Sequence, residues 1–260
     1  MIILGYVLSI LIGVSLGLIG GGGSILTVPL LVYLFKIDAV IATSYSLFIV
    51  GISSSVGTIN YFKKKLVDIK TAFLFGIPSI VSVYFTKAIL VPSIPAQLFV
   101  INEFTLTKNM FIMLLFSIIM IASSYTMLRK NKITKTKTGN THTIFAIFIG
   151  LIIGLITGMV GAGGGFIIIP ALVLFFKLPM KSAIGTSLFI ITINSAVGFS
   201  SQLYKVQIDW QLLFLITFLS VIGIFIGTYL SNKIDGEKLK PVFGWFVLIM
   251  GLLILFKEIN

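Results

Sequence analysis

The sequence predicts an all-α protein that crosses a membrane several times, on the evidence of its composition, its hydropathy and an internal repeat. Of its 260 residues, 58% are hydrophobic and only 10% are charged, and the mean hydropathy is +1.17. In soluble domains about a quarter of all residues are charged, so this chain has too few polar groups to cover a surface in water. Its apolar segments are long and continuous, which indicates helices and not the short alternating strands of a barrel.

Eight apolar segments follow one another along the chain, with a polar and basic linker, Arg129–His142, between the fourth and the fifth. We therefore predict a first membrane unit at 1–128, a basic cytoplasmic linker at 129–143 and a second membrane unit at 144–260. The two units together form one membrane domain. The segments lie at 2–35, 40–62, 69–91, 107–128, 144–176, 182–204, 210–232 and 241–257.

The second unit repeats the first at an offset of 141 residues. This offset aligns Gly17 with Gly158, Pro29 with Pro170, and Asp68 with Asp209. From Gly17 to Asp68 the alignment needs no gap, and 20 of the 52 positions are identical. Apolar bias alone would not match glycines, prolines and aspartates in one register, so we predict a duplicated four-segment unit. Each of the two aspartates stands where a segment begins, and is expected to cap that helix.

Segments 1 and 5 are long and are interrupted by glycines, which are unfavourable inside helices. Each has about 33 residues, which is about 50 Å as a straight helix against a hydrocarbon core of about 30 Å. If all eight segments cross, Lys and Arg divide 11 to 8 between the two faces. If segments 1 and 5 re-enter, the division is 14 to 5, which the positive-inside rule favours. We therefore predict six crossings, two re-entrant hairpins and inverted repeats, with eight crossings as the alternative.

The charged residues and the lack of cysteine exclude several classes of protein. With no Cys in the chain, disulfides and thiolate metal sites are ruled out, and we predict neither a metal nor a cofactor. The net charge of +12 comes mostly from loops, where positive-inside sorting explains it, so we expect no nucleic-acid partner. No Asp, Glu, Lys, Arg or His stands in the central stretch of any segment, which argues against an intramembrane enzyme and a carboxylate proton relay.

Each glycine break is expected to create a site for an anion. The half-helix after a break presents unpaired N–H groups and the positive end of a helix dipole, and glycine lets a ligand approach that backbone. The segment after each break has two serines that are eight residues apart and share a helical face: Ser46 and Ser54 in segment 2, and Ser187 and Ser195 in segment 6. Such a stripe of hydroxyls can donate to an oxyanion. The alternative is that the glycines and hydroxyls serve only close packing of helices.

The glycine motif GxxGxGGGxxxxP resembles that of the TauE/SafE family of sulfite exporters, as do the stretch Ala183–Gly198 and the duplicated layout. The second unit has the motif as Gly158, Gly161, Gly163, Gly164, Gly165 and Pro170. The resemblance implies a multi-pass transporter of the cell membrane, with the lipid bilayer and a small sulfur-containing anion as its partners. Sulfite, sulfonates and related organosulfur acids are the expected class. The exact substrate, the direction of transport, the coupling ion and a homo-oligomeric state are left open.

We predict that the two breaks reach the midplane from opposite faces and flank one bound anion. An anion channel of the same fold is the alternative to a carrier. The predicted substrate-binding residues are Gly20, Gly21, Gly22, Gly23, Ser24, Ser46, Gly161, Gly163, Gly164, Gly165, Thr186, Ser187 and Asn194.

Overall fold

The computed structural model describes residues 2–101, 104–128, 143–161, 163–203, 207–234 and 236–259. The predicted basic linker lies outside these ranges except for Thr143. The first unit contains α1 (Ile2–Ile19), α2 (Gly22–Tyr33), α3 (Ala39–Lys63), α4 (Ile69–Phe85), a π-helical turn (Thr86–Leu90), α5 (Val91–Ser93), β1 (Gln97–Ile101), β2 (Phe104–Thr107) and α6 (Lys108–Leu128). The second contains α7 (Thr143–Val160), α8 (Gly165–Leu174), α9 (Met180–Ser200), α10 (Trp210–Lys233) and α11 (Gly236–Ile259).

The prediction of an all-α protein with several membrane crossings is confirmed. Within the described residues, seven helices are long and apolar enough to cross a membrane by length and composition. One feature was not predicted: β1 and β2 pair as a small antiparallel hairpin between α5 and α6. The candidate spans are Ala39–Lys63, Ile69–Ser93, Lys108–Leu128, Thr143–Val160, Met180–Ser200, Trp210–Ser231 and Pro241–Ile259.

Aspartate side chains cap the N-termini of three helices, because a carboxylate accepts hydrogen bonds from the unpaired N–H groups of a first turn. Asp68 accepts from the Thr71 N–H at 2.8 Å, and Asp209 accepts from the Leu212 N–H at 3.1 Å. The predicted capping by both aspartates is thus confirmed. Asp38 caps α3 in the same way through the Val40 N–H at 2.9 Å, although its position in the repeat is occupied by Pro179.

Segments 1 and 5 each fold back at their glycines. In one continuous helix, Tyr6 and Phe35 would lie about 44 Å apart, yet their ring centroids are 5.6 Å apart. Phe145, near the start of α7, lies equally close to Phe175 at the end of α8, with a centroid distance of 5.6 Å. Each segment is therefore a helical hairpin with both ends at one end of the molecule.

Contacts between loops and helix starts show the path of the chain. The Asp68 N–H, after α3, donates to the Thr186 hydroxyl near the start of α9 at 2.9 Å. The Asp209 N–H, after α9, donates to the Tyr45 hydroxyl near the start of α3 at 2.6 Å. With eight crossings, the two members of each pair would lie at opposite faces. These contacts place the two ends of each hairpin at one end of the molecule, although Thr143–Val160, the first arm of the second hairpin, is long enough to cross a membrane. Six crossings with two re-entrant hairpins, and the orientation relative to the cytoplasm, stay predictions.

The packing of the two units is reciprocal. Helix α1 packs on α10, and its counterpart α7 packs on α4; α3 and α9 pack together at the centre, and α6 packs on α11. Residue contacts follow the same exchange: Gly20 lies against Ile184, and Gly161 lies against Thr43, which precedes Ile184 by the repeat offset. Each unit therefore covers the break of the other.

Candidate functional site

The two glycine breaks touch each other beside the central helices α3 and α9. Helix α2 begins just after Gly21, and α8 begins at Gly165. A Cβ atom on Gly165 would lie 2.5 Å from the Cα of Gly21, which is far closer than carbon atoms pack. Glycine at both positions is what lets the two backbones meet.

Several glycines also supply backbone conformations that other residues avoid. The φ angles of Gly20 and Gly161 are 72° and 71°, and those of Gly163 and Gly164 are 64° and 75°. These values lie in the left-handed region, where a Cβ atom clashes with the backbone. The turns at the two breaks thus depend on glycine for conformation as well as for space.

The breaks extend across the middle of the molecule and do not end there. Gly20 contacts Ile184, the fifth residue of α9, and Gly161 contacts Thr43, the fifth residue of α3. Each contact is about 6 Å from the start of the central helix. Gly163 lies farther inward, against Ile191. The predicted single midplane site is therefore divided into two tips, near opposite ends of α3 and α9, and an inner part.

Some of the predicted hydroxyls stabilise the breaks or the loops. Ser24 donates to the Gly21 carbonyl at 2.7 Å, and Ser187 donates to the carbonyls of Ile184 and Gly20 at 2.8 and 3.3 Å. The Thr186 hydroxyl accepts the Asp68 N–H described above, so the structure assigns it to loop packing and does not bring it to the breaks.

Other predicted hydroxyls are buried and have no hydrogen-bond partner among the described residues. The hydroxyl oxygens of Ser46, Ser54 and Ser195 have no hydrogen-bond partner among the residues that the structure describes. A buried polar atom without a partner costs about 1–3 kcal/mol. A Cβ atom on Gly163 would lie 3.1 Å from the Ser195 Oγ, so this hydroxyl faces the second break. Unpaired buried donors of this kind are typical of a site that binds a ligand or water.

Only one of the two polar atoms of the Asn194 side-chain amide has a hydrogen-bond partner among the described residues. Its Nδ2 donates to the Ser79 Oγ at 2.8 Å, while its Oδ1 is buried and has no partner within the described ranges. A rotation of the amide by 180° would let the Oδ1 accept from the Ser79 hydroxyl and would turn the Nδ2 to the unpaired position. The side chain can thus offer a donor to a ligand without losing its contact with α4.

Lys87 is the residue that sequence reasoning missed. Segment 3 is predicted to end at 91, which leaves Lys87 four residues from that end and outside the central stretch, but the helix continues to Ser93 and the side chain is 1% exposed. Its Nζ donates to the Thr43 Oγ1 at 2.6 Å. The Gln202 amide donates to the Lys87 carbonyl at 2.7 Å, which holds a carbonyl of the π-helical turn. The only sequence signal was a single lysine within an apolar stretch.

Two more unused hydroxyls surround this part of the second break. The Thr86 and Thr157 hydroxyls are buried and lack partners in the described part of the chain. Gly158 lies against Thr86, and Gly164, which precedes α8, lies against the Thr157 Oγ1. The second break is therefore bordered by one ammonium group and three threonines.

The first break lacks these groups. At the positions that correspond by the repeat offset, Leu16 replaces Thr157, Ile184 replaces Thr43, and Gly227 replaces Thr86. Thr228 replaces Lys87, and its hydroxyl donates to the Ile224 carbonyl of its own helix at 2.8 Å. The two breaks thus share the left-handed glycine at Gly20 and Gly161, and they differ in the rest of the turn and in the polar groups beside it.

A polar cavity of about 390 Å³ opens next to the start of α3, lined in part by Lys36, Asp38, Asn109 and Glu258. Ala39 also lines this cavity, and Thr43 lies about one helical turn farther along α3. The Lys87 side chain therefore lies just inside one end of the molecule, below a water-accessible mouth.

Residues 6–254 match the family model of the sulfite exporter TauE/SafE. The chain belongs to this family. It is 25% identical to the probable membrane transporter protein YunE of Bacillus subtilis, over 97% of both chains. It is 28% identical to a probable membrane transporter protein of Methanocaldococcus jannaschii, over 98% of this chain and 94% of the relative. No solved structure matches.

Family membership confirms the resemblance and the localisation. The chain is a membrane transporter of the TauE/SafE family, and its apolar helices make it a multi-pass protein of the cell membrane. The family implies a small anionic substrate and a lipid environment.

Proposed function

We propose that this transporter carries small sulfur-containing anions, such as sulfite, sulfonates or related organosulfur acids, and binds them where the glycine breaks meet beside α3 and α9. The observation that carries the proposal is a set of buried hydroxyls at the second break that have no partner among the described residues: the Ser195 Oγ faces Gly163, and the Thr157 Oγ1 faces Gly164. These hydroxyl donors have no acceptor among the described residues, and a bound oxyanion would supply one.

The site matches the shape of a sulfur oxyanion. Sulfite is pyramidal and a sulfonate head is tetrahedral, so each presents three oxygens that accept hydrogen bonds from different directions. The start of α8, with its unpaired N–H groups, directly follows the break at Gly163, and the Ser195 hydroxyl of α9 faces the same break. Hydrogen bonds to a charged acceptor are about twice as strong as those between neutral groups.

The closed state of the site favours a carrier over the alternative, an anion channel. Ser46, Ser54 and Ser195 are each 0% exposed, so neither face of the molecule opens to them. The two hairpins cross the middle from opposite faces and touch at Gly21 and Gly165. Rocking of one hairpin against the central helices would open the site to one face while the other stays closed, as in alternating access around inverted repeats.

Flux into proteoliposomes tests the proposal. Purified protein is reconstituted, and uptake of sulfite, thiosulfate, sulfate, taurine and sulfoacetate is measured with and without the same anion inside the vesicles. We expect saturable uptake of at least one of them that is stimulated by counterflow. Single-channel currents would establish the channel instead, and absence of any flux of these anions would reject the substrate class.

A further inference from the structure

We infer that the negative charge of the substrate is bound at the second glycine break, by the ammonium group of Lys87 and the hydroxyls beside it, and that the first break binds no charge. This inference rests on the proposed function. It adds the residue that recognises the charge and makes the two breaks unequal.

The first argument is the burial of an unbalanced charge. Lys87 is 1% exposed, and within the described ranges its Nζ contacts a single acceptor, the Thr43 hydroxyl. An ammonium group has three N–H donors, so two stay unused. A buried charge without a partner is strongly unfavourable. An anion that enters the site would supply both the missing charge and the missing acceptors.

The second argument is that every unused group beside Lys87 is able to donate. The Thr86 and Thr157 hydroxyls are buried and unpaired, and the Thr157 Oγ1 faces Gly164 at the start of the ten-residue helix α8. A helix start contributes N–H groups and partial positive charge. Ammonium, hydroxyls and helix start thus complement an anionic acceptor, and would repel a cation.

The third argument is an internal control. The first break has a left-handed glycine at the corresponding position, with φ of 72° at Gly20 against 71° at Gly161. The residues beside it are Leu16, Ile184, Gly227 and Thr228 in place of the four polar ones. The hydroxyls that do border the first break are paired, since Ser187 and Tyr61 donate to the carbonyls of Gly20 and Gly17. The Thr86 and Thr157 hydroxyls at the second break have no such partner among the described residues, which points to a ligand bound there.

Thermal shift and binding of probe anions test this inference on the purified full chain. The probes are sulfite, thiosulfate and taurine, with dimethyl sulfone as a neutral molecule that has S–O bonds and no charge. The variants are Lys87→Gln, Lys87→Met, Lys87→Arg and Thr157→Val, and the matched control is Thr228→Val, the Lys87 counterpart at the first break.

We expect the anion that stabilises the wild-type protein to bind about 10- to 100-fold more weakly to Lys87→Gln and Lys87→Met. Lys87→Arg should retain most of the binding, and Thr157→Val should weaken it by about 2- to 10-fold. Thr228→Val should bind as the wild type does, and dimethyl sulfone should stabilise none of them. Without anion, Lys87→Met should melt at a higher temperature than the wild type, because it removes an unbalanced buried charge.

The outcomes separate this inference from the proposed function. Stabilisation of the wild type by none of the anions would reject the proposed substrate class, and the inference with it. Wild-type binding that is unchanged in Lys87→Gln and Thr157→Val would overturn the inference alone. Failure of both Lys87→Gln and Lys87→Met to fold would also overturn it, because the ammonium group would then be holding the empty protein together.

Discussion

The two glycine breaks make matching contacts and have different polar groups beside them. Each has a left-handed glycine, Gly20 or Gly161, that contacts the fifth residue of a central helix, and each is covered by the other unit. Only the second has a lysine and three threonines at its border. The repeat thus preserves one left-handed glycine and its contact, whereas the second break has two further left-handed glycines, Gly163 and Gly164, and different side chains. The comparison teaches that two copies of one fold can diverge in the chemistry of their breaks.

The largest effect expected from this comparison concerns the face at which each loop lies. Cysteines in place of Lys65 and Lys181 should react with an impermeant maleimide from one face, and cysteines in place of Lys36 and Gln207 only from the other. The Cys-free chain provides its own background. If the position at 65 and the position at 181 label from opposite faces, the hairpins cross the membrane and the two breaks are not related as described.

The next effect tests whether the breaks are equally intolerant of a side chain. Gly164→Ala would force a Cβ atom onto Thr157 at a φ of 75°, and Gly23→Ala would force one onto Ile12 and Leu16. We expect each to lower the free energy of unfolding by about 2–5 kcal/mol, measured by thermal denaturation in detergent. Gly76→Ala is the control, because its Cβ atom would lie 3.8 Å from Ile190. A Gly23→Ala variant as stable as this control would show that α2 does not fold back on α1.

A smaller effect is expected from exchanging one residue between the breaks. Thr43→Ile gives the second break the residue of the first and removes the acceptor of Lys87, so anion affinity should fall about tenfold. The reverse exchange, Ile184→Thr, should leave affinity within about twofold, because no ammonium group lies beside it. Isothermal titration of both variants decides the point. A loss of affinity in Ile184→Thr equal to that in Thr43→Ile would make the two breaks equivalent.

The smallest effect distinguishes two serines that the repeat aligns. Ser187 donates to two carbonyls, whereas the Ser46 hydroxyl has no partner among the described residues. In the absence of substrate, Ser187→Ala should therefore cost about 1 kcal/mol, and Ser46→Ala should be neutral or slightly stabilising. Melting temperatures of the two variants provide the comparison. Equal destabilisation would mean that the Ser46 hydroxyl already has a partner, such as a bound water.

Much of the fold follows from local and periodic signals. Hydropathy predicts the helices, the offset of 141 residues predicts which ones correspond, and the short arms on either side of the glycines predict the hairpins. Helix capping by Asp68 and Asp209 could be predicted because it depends on residues three positions away. These features are determined by neighbours along the chain or by the solvent, so a single sequence reveals them.

The candidate site is less predictable, because it depends on contacts between distant residues. Thr186 and Ser187 are adjacent hydroxyls on the same helix, but one meets Asp68 and the other meets Gly20. Lys87 lies in a π-helical turn, and its ammonium group contacts Thr43 on a different helix. None of these three contacts can be predicted from sequence spacing, since the two residues of each pair are 44 or more positions apart.

The exchange of partners between the two units has a consequence for how the protein is made. Helix α1 emerges from the ribosome first, but the helix on which it packs, α10, begins at Trp210, some two hundred residues later. Domains usually fold in the order of synthesis, and here that order is unavailable to the first hairpin. Its glycine turn has to wait in the insertion machinery or in lipid, with backbone groups exposed, until the second half of the chain arrives. Biogenesis of this transporter is therefore expected to be limited by the completion of its last third.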